Sequence, residues 1–341
     1  MSEKQKACPR VDIGGQAVME GVMMKGPEAL AIAVRRPDGT IVVKRRDCPP
    51  LSRKHKWMGY PFLRGMVNMV NMLVMGMTTL QESTEMLGVL DEEPTKFEKW
   101  LAKKLGKGID KIVMAVAVVL AVIMSVGLFI LIPTAVEKGM LNLGLSVTGA
   151  TLVGGVVKIL LLIGYMIFCG FVPDVRRTFQ YHGAEHKTVY CHEADLPLTP
   201  ENAAQFTTLH PRCGTAFLLI VFVISMLVAL VVGQHVHQFF WRFLMHIALL
   251  PIVAGLSYEV LKGLAHSESK LAKILRWPGL QMQRLTTRQP DAKMLECAIV
   301  AMNVALYGMP KHSETTAEGY AVLHRYEEAN PGYEGAEEKQ A

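Results

Sequence analysis

The sequence predicts a mainly α, integral membrane protein with about four transmembrane helices, a small N-terminal β-sheet and cytoplasmic amphipathic helices. Three observations carry this. Hydrophobic residues fill 51% of the 341 positions and mean hydropathy is positive, a richer apolar content than an ordinary soluble chain has. Four long runs are nearly free of charge. A turn signature between two β-prone runs lies near the N-terminus. The formal charge of +6 would point to nucleic acid in a soluble protein, but a membrane protein gains such a surplus by keeping Lys and Arg on its cytoplasmic side. No nucleic-acid partner is expected. The six cysteines, at 8, 48, 169, 191, 213 and 297, include no Cys-x-x-Cys pair, so a disulfide scaffold is not expected. The polar start, Met1 to Lys6, leads into no apolar stretch, and insertion is expected to rely on an internal span.

Residues 1–60 form a cytoplasmic, β-rich segment. Ala17-Val18-Met19 has strand character, and Ala31 to Val34 and Ile41 to Val43 flank Pro37-Asp38-Gly39. Proline presets one turn dihedral and glycine accepts the next, so this is a hairpin signal. Gly14-Gly15 and Gly21 lack the G-x-G-x-x-G spacing of a phosphate loop and read as tight backbone. A basic patch runs from Lys44 to Lys56.

Residues 61–111 hold a helix from Pro61 to about Leu87 crowded with Met66, Met69, Met72, Met75 and Met77 and interrupted by Asn68 and Asn71. That pattern suits an interfacial, re-entrant or buried helix. Its thioethers suit core packing, or contact with a membrane-protein partner. Asp91-Glu92-Glu93-Pro94 ends it, and Phe97 to Lys111 is amphipathic and basic, fit to lie on anionic membrane lipid.

Residues 112–265 form the membrane domain. Ile112 to Ile132 contains twenty-one residues without a charge, enough at about 1.5 Å rise each to cross the roughly 30 Å hydrocarbon core. A connector with Glu137 and Lys138 leads to the second span, about Leu152 to Val172. The third, about Thr215 to Gly233, and the fourth, about Phe243 to Leu261, are joined by a link containing His235 and His237. Nineteen basic residues precede the first span, one lies in the first loop, four in the second, one in the third and ten after the fourth. The poor loops face out, which leaves both termini and the central loop, 173–214, in the cytoplasm. Residues 266–309 form cytoplasmic helices, His266 to Arg276 broken by Trp277-Pro278-Gly279, then Ala292 to Leu306 capped by Asp291. The acidic tail, 310–341, reads as disordered.

Gly14 to Met24, Pro61-Phe62-Leu63-Arg64-Gly65, Tyr181 to Lys187, His210 to Thr215 and Pro278 to Pro290 together resemble the YqhQ family of bacterial membrane proteins, from about Val11 to about Leu306. The resemblance implies a multi-pass protein of the bacterial plasma membrane, and through the family's usual label it implies a predicted metal-dependent enzyme.

The chemistry concentrates in the central loop. If Tyr181 to Lys187 is helical, His182 and His186 lie one turn apart on one face with Glu185 beside them. This His-x-x-Glu-His order resembles the inverted zinc-hydrolase motif, with histidines as ligands and glutamate as the base. Zinc is the divalent metal expected. A third ligand would come from Glu259, His210 or Cys213. In the bland reading, Arg176, Arg177, Lys187 or Arg212 pair with Glu185 or with lipid phosphate, and Cys191-His192 and His235 and His237 are structural or solvent-facing. Three functions follow: a membrane-embedded metal hydrolase at the cytoplasmic surface, a non-enzymatic factor that binds a translocation or quality-control complex, and an ion transporter. The last is disfavoured because Glu259 stands almost alone among the spans, with Lys158 as a counter-ion.

Overall fold

The computed structural model describes residues 13–49, 60, 63–88, 109–232, 238–267, 269–311, 313–331 and 333. Its first element is the expected hairpin enlarged to a sheet. β1 (Gly14–Val18), β2 (Gly21–Lys25), β3 (Ala29–Arg35) and β4 (Ile41–Asp47) run antiparallel in chain order. In the β3–β4 turn Gly39 has φ +92°, and Asp38 accepts from the Thr40 N–H at 2.9 Å, the local chemistry that Pro-Asp-Gly offers.

The expectation of a disordered tail is corrected for its described part. β5 (Glu314–Thr315) and β6 (Ala321–Leu323) extend the sheet to six strands in the order β1-β2-β3-β4-β6-β5, with Ile41 opposite Leu323. Two- and three-residue strands show no periodicity of their own, and they form because β4 offers an open edge. Residues 334–341 lie outside the described residues.

Both faces of the sheet are covered. Val22, Met24, Ala31, Ala33 and Val43 pack with Tyr181, Ala184 and the buried side of a C-terminal helix. Val18, Met23, Ile32, Val34 and Val42 pack with Met86, Met75 and Leu87 of the methionine-rich helix. Strict alternation puts neighbouring residues on opposite faces, and here each set meets a helix.

In chain order the helices are α1 (Leu63–Leu87), α2 (Ile109–Val126), α3 (Ile132–Asn142), α4 (Val147–Cys169), α5 (Pro173–Glu193), α6 (Pro200–Ala204), α7 (Gly214–Val232), α8 (Phe239–His266), α9 (Lys270–Thr286) and α10 (Ala292–Tyr307). A π-helical turn, Gly127–Leu131, joins α2 to α3, so the connector expected after Ile132 is helical instead. Pro133 has no N–H to donate and crowds the carbonyl one turn back, and the wide turn before it relieves that conflict. Helix α9 likewise runs through Pro278, where a break is expected, because its side packs along α7 and α8. Ser269 caps it, accepting from Ala272 N–H at 3.1 Å. Asp291 caps α10 as expected, accepting from Met294 N–H at 2.8 Å.

Where four spans are expected, three helices among the described residues are long and apolar enough to cross a membrane: Ala115–Asn142, Val147–Cys169 and Phe239–Leu264. The other expected span forms as the shorter apolar α7. The basic segment from Phe97 to Gly108, the part of the basic patch after Pro49, and His235 and His237 lie outside the described residues.

Helix α1 ties the two halves together. Near its start Gly65 lies against Tyr258 of α8, and Asn68 donates to the Tyr258 hydroxyl at 2.9 Å. Near its end Met86 is sealed under the sheet.

Candidate metal centre at the base of the sheet

Residues 173–214 are mostly helical, and α5 carries His182, Glu185 and His186 along the side that meets the sheet and the segment after α9. Gly183 permits the close approach: a Cβ there would lie 2.1 Å from the Arg288 carbonyl oxygen. The crossing is pinned by the Arg288 N–H donating to Phe179 O at 2.9 Å. It places the Thr286 carbonyl 2.9 Å from His182 Nδ1. The Thr208 carbonyl similarly lies 2.5 Å from His186 Nδ1. Its loop is held by Lys187, whose ammonium donates to Ala204 O and Phe206 O, and by the Tyr190 hydroxyl on Leu209 O.

These contacts decide the tautomers. A carbonyl oxygen only accepts, so each Nδ1 carries the proton, and in the neutral ring each Nε2 presents a lone pair. Backbone acceptors of this kind are the usual orienting partners of metal-binding histidines. His182 Nε2 lies 3.3 Å from Cys213 Sγ, and one ligand atom each from His182, His186 and Cys213 falls within a common 4.8 Å. A tetrahedral zinc with ordinary Zn–N and Zn–S bonds spaces such a pair roughly 3.5 Å apart. The donor set therefore fits a zinc-like ion. Between protein groups alone, the same spacing is a thiol–imidazole hydrogen bond.

Cys213 immediately precedes α7 and accepts from the Thr215 N–H at 3.4 Å. Glu185 is buried. Its Oε1 accepts from the Gly15 N–H at 2.8 Å, and its Oε2 stands 3.4 Å from His186 Nε2. Gly15 is tight backbone, as expected. A Cβ there would lie 2.4 Å from Met23 O and 2.8 Å from Glu185 Cγ.

His210 packs beside the cluster, its ring 5.6 Å from that of His186, but it is not among the three residues whose ligand atoms gather. Gln283 of α9 fixes it with two bonds, to its N–H and its carbonyl, both 2.7 Å. Its Nε2 is buried without a hydrogen bond and lies 3.5 Å from Glu193. Burial holds its imidazole below the usual histidine value, with Glu185 nearby opposing.

Glu259 is not in this cluster. Its carboxylate takes a bidentate pair of bonds from Arg64 of α1, at 2.8 and 2.5 Å. Three of the four basic residues expected as partners of Glu185 are engaged elsewhere: Arg177 with Glu20, Arg212 with Glu193, Lys187 with the loop. His192 is half-buried, and Cys191 is fully buried beside Pro197 O, consistent with structural roles.

Sequence reasoning missed the positioning groups Gly15, Thr208, Gln283 and Thr286, since backbone carbonyls and glycines carry no chemical label. It also placed Glu137 and Arg242 in connectors. Both are buried between helices, 3.1 Å apart, with Arg242 also donating to Thr151 at 2.7 Å. Gly154 makes room, since a Cβ there would meet Glu137 Cγ at 2.4 Å. Glu259 is thus not the lone acid among the long apolar helices. A glutamate five residues past one predicted span, matched by an arginine flanking another, was the available signal.

Comparison with known proteins gives two matches. The family described as "Protein of unknown function (DUF1385)" covers residues 60–307. "Uncharacterized protein YqhQ" of Bacillus subtilis (strain 168) is 35% identical over 298 residues, 86% of this chain and 92% of that protein. No solved structure matches.

Proposed function

The chain belongs to the YqhQ family, and from that premise we propose a multi-pass plasma-membrane protein acting as a metal-dependent hydrolase at the cytoplasmic surface. Membrane insertion is supported by α2, whose Val119, Leu120, Val122, Ile123 and Met124 are all more than half exposed. Burying such a face in lipid is favourable at roughly 25 cal/mol per Å². The uneven spread of basic residues supports cytoplasmic termini.

The observation that carries the hydrolytic reading is the tautomer fixing. Both histidines have Nδ1 on a backbone carbonyl, and one ligand atom of each gathers with Cys213, a set of three donors that would hold a divalent cation and leave room for a water. When bound, a divalent cation, zinc by this donor set, supplies Lewis acidity to a water molecule. Glu185 supplies the proton transfer. Oε1 is anchored on the Gly15 N–H, so Oε2 is the oxygen left to accept the water proton. The water oxygen joins the scissile carbonyl carbon, and Glu185 returns the proton to the leaving group as the old bond breaks. His210, one ring away, stands outside this set, its Nδ1 accepting the Arg212 N–H at 3.4 Å.

The experiment is elemental analysis of protein purified without chelator, combined with complementation by Glu185→Gln and His186→Ala. About one metal per chain is expected, lost in His186→Ala and kept in an inactive Glu185→Gln. A stable, metal-loaded Glu185→Gln that complements fully would end the hydrolase reading.

A second reading, the non-enzymatic membrane factor, draws on α1. Val70, Leu73, Val74 and Met77 lie exposed on one face of a helix that links sheet and membrane domain. Loss of complementation on charging that face, with metal intact, would favour it.

A further inference from the structure

The apolar helices bury a second group of charged side chains, apart from His182, His186 and Cys213. Glu137 of α3, Lys158 of α4 and Arg242 of α8 are 3%, 8% and 3% exposed. Arg242 lies 3.1 Å from Glu137 and donates to the Thr151 hydroxyl of α4 at 2.7 Å. Gly154 brings the Glu137 carboxylate against α4, since a Cβ there would lie 2.6 Å from its Oε1. Lys158 follows one turn later on the same helix. A helical side chain leans back toward the helix N-terminus, so the Lys158 ammonium points toward this pair and its charge interacts with Glu137. His246, one turn past Arg242, lies within electrostatic reach of both cations.

The charges in this group do not balance. Glu137 is the only acidic residue from Ile112 to Val172 and from Cys213 to Tyr258, and it already meets Arg242. Among the described residues Lys158 has one hydrogen-bond partner, the Ser225 hydroxyl of α7 at 3.4 Å, longer than the roughly 2.7–3.2 Å of a good bond. Two cations and one carboxylate leave one positive charge in surplus among apolar helices, where an unpaired charge is costly. On the cytoplasmic side the group is closed off: Leu162 and Met166, next along α4, pack with Phe129, Phe222 and Met282. Toward the other end stand Arg242, near the start of α8, and exposed Lys138, whose ammonium lies 5.7 Å from the Phe239 ring centre. Lys158 is about 16 Å of helical rise from the start of α4, about half of a hydrocarbon core roughly 30 Å thick. The cations thus run from one end of the helices to mid-depth, and in the orientation proposed above that end faces outward.

We infer that Lys158, Arg242 and the Ser225 hydroxyl bind a small monovalent anion of halide size, which reaches them from the outer side of the membrane. The surplus of one positive charge sets the valence. The packing around α4 sets the size: a Cβ at Gly155 would lie 2.3 Å from Met226 Sδ, as one at Gly154 would collide with Glu137, so the space beside Lys158 suits a single atom better than a polyatomic ion. Ammonium, guanidinium and hydroxyl all donate hydrogen bonds, the chemistry an anion needs when it leaves water. The site stands independently of the hydrolase proposed above, because it shares no residue with it and lies beyond the Leu162–Met166 packing.

The test is thermal unfolding of the full chain in detergent micelles as sodium chloride replaces sodium gluconate at constant ionic strength, gluconate being too large for the site. Chloride should raise Tm saturably, by about 3–6 °C at about ten times its Kd, and bromide should do the same. Lys158→Met should abolish this dependence while keeping its Tm in gluconate, since replacing a buried charge by an apolar chain of similar volume costs little. Glu137→Gln should act in the opposite sense. It removes the carboxylate that competes for the cations, so the chloride concentration at half-effect should fall about ten-fold. A cluster that only ties helices together would lose stability in both variants and respond to chloride in neither. Equal melting of the unmodified chain in chloride and gluconate overturns the site, and so does a chloride response that survives in Lys158→Met. Where Lys158→Met does not accumulate, an unchanged half-effect in Glu137→Gln overturns it instead.

Discussion

Adding one methyl group at Gly15 tests how Glu185 is held. The new Cβ would meet Met23 O at 2.4 Å, Glu185 Cγ at 2.8 Å and Met24 Sδ at 2.9 Å. Ordinary carbon contacts are about 3.5–4.0 Å, so Glu185 must recede by about 1 Å. That stretches the 2.8 Å bond from the Gly15 N–H to its carboxylate past useful hydrogen-bond length. Overpacking costs about 1–3 kcal/mol, and losing a hydrogen bond to a charged group about 1.5–3 kcal/mol, together about 2.5–6 kcal/mol. At about 2–4 °C per kcal/mol that lowers Tm by about 5–24 °C. Gly14 is the control, because a Cβ there has nothing within 4 Å, and its change to Ala should stay within about 0.5 kcal/mol. Thermal unfolding in detergent micelles reads both. In a Glu185→Ala background the Gly15→Ala penalty should shrink by about 1–3 kcal/mol, since the two groups touch. Gly14→Ala and Gly15→Ala melting within a degree of each other would refute the account of Glu185 positioning.

Four further outcomes are expected. Glu259→Gln should leave metal content unchanged and change stability little, because its exposed pair with Arg64 is screened by solvent; loss of metal would restore Glu259 as a ligand. Burial pushes the Cys297 thiol up from 9.0 to about 12. A raised folded-state value stabilises the fold below the unfolded value and loses that stabilisation as pH climbs through the folded one. Stability should therefore decline from about pH 9 toward 12, and less steeply in Cys297→Ser; identical slopes in thermal melts would contradict this. Gly183→Ala should release the Arg288 crossing and with it the Thr286 contact to His182, read as reduced metal content; unchanged metal would show that the crossing does not set the ligand. Impermeant thiol reagents applied to intact cells should reach cysteines introduced at Asn142 and Gln238 but not at Ala194 or Lys311, and labelling at Ala194 from outside would reverse the proposed orientation.

Features that depend on a few neighbouring residues were readable from the chain alone. Pro37-Asp38-Gly39 specified the β3–β4 turn, Asp291 specified the start of α10, long uncharged runs specified the apolar helices, and the four-residue step from His182 to His186 put both rings on one helical face. Each follows from backbone dihedral preferences or from the period of a helix or strand, which act over a turn or two. The tertiary structure decided everything that joins distant segments. Cys213 meets His182, Gly15 holds Glu185, and Arg64 takes Glu259 out of the histidine–cysteine cluster. None of these pairings has a local signature, because a carboxylate or thiol carries the same label whichever partner the fold brings to it. The short strands β5 and β6 were hidden for a related reason: three residues cannot display a period, and only the open edge of β4 makes them strands. The sequence by itself determined which chemical groups were available and which local shapes they would take. Which group met which was settled by packing: a helix crossing close over Gly183, a strand pressed against Glu185 at Gly15, and a membrane-side helix whose carbonyl turns one histidine nitrogen toward a cysteine.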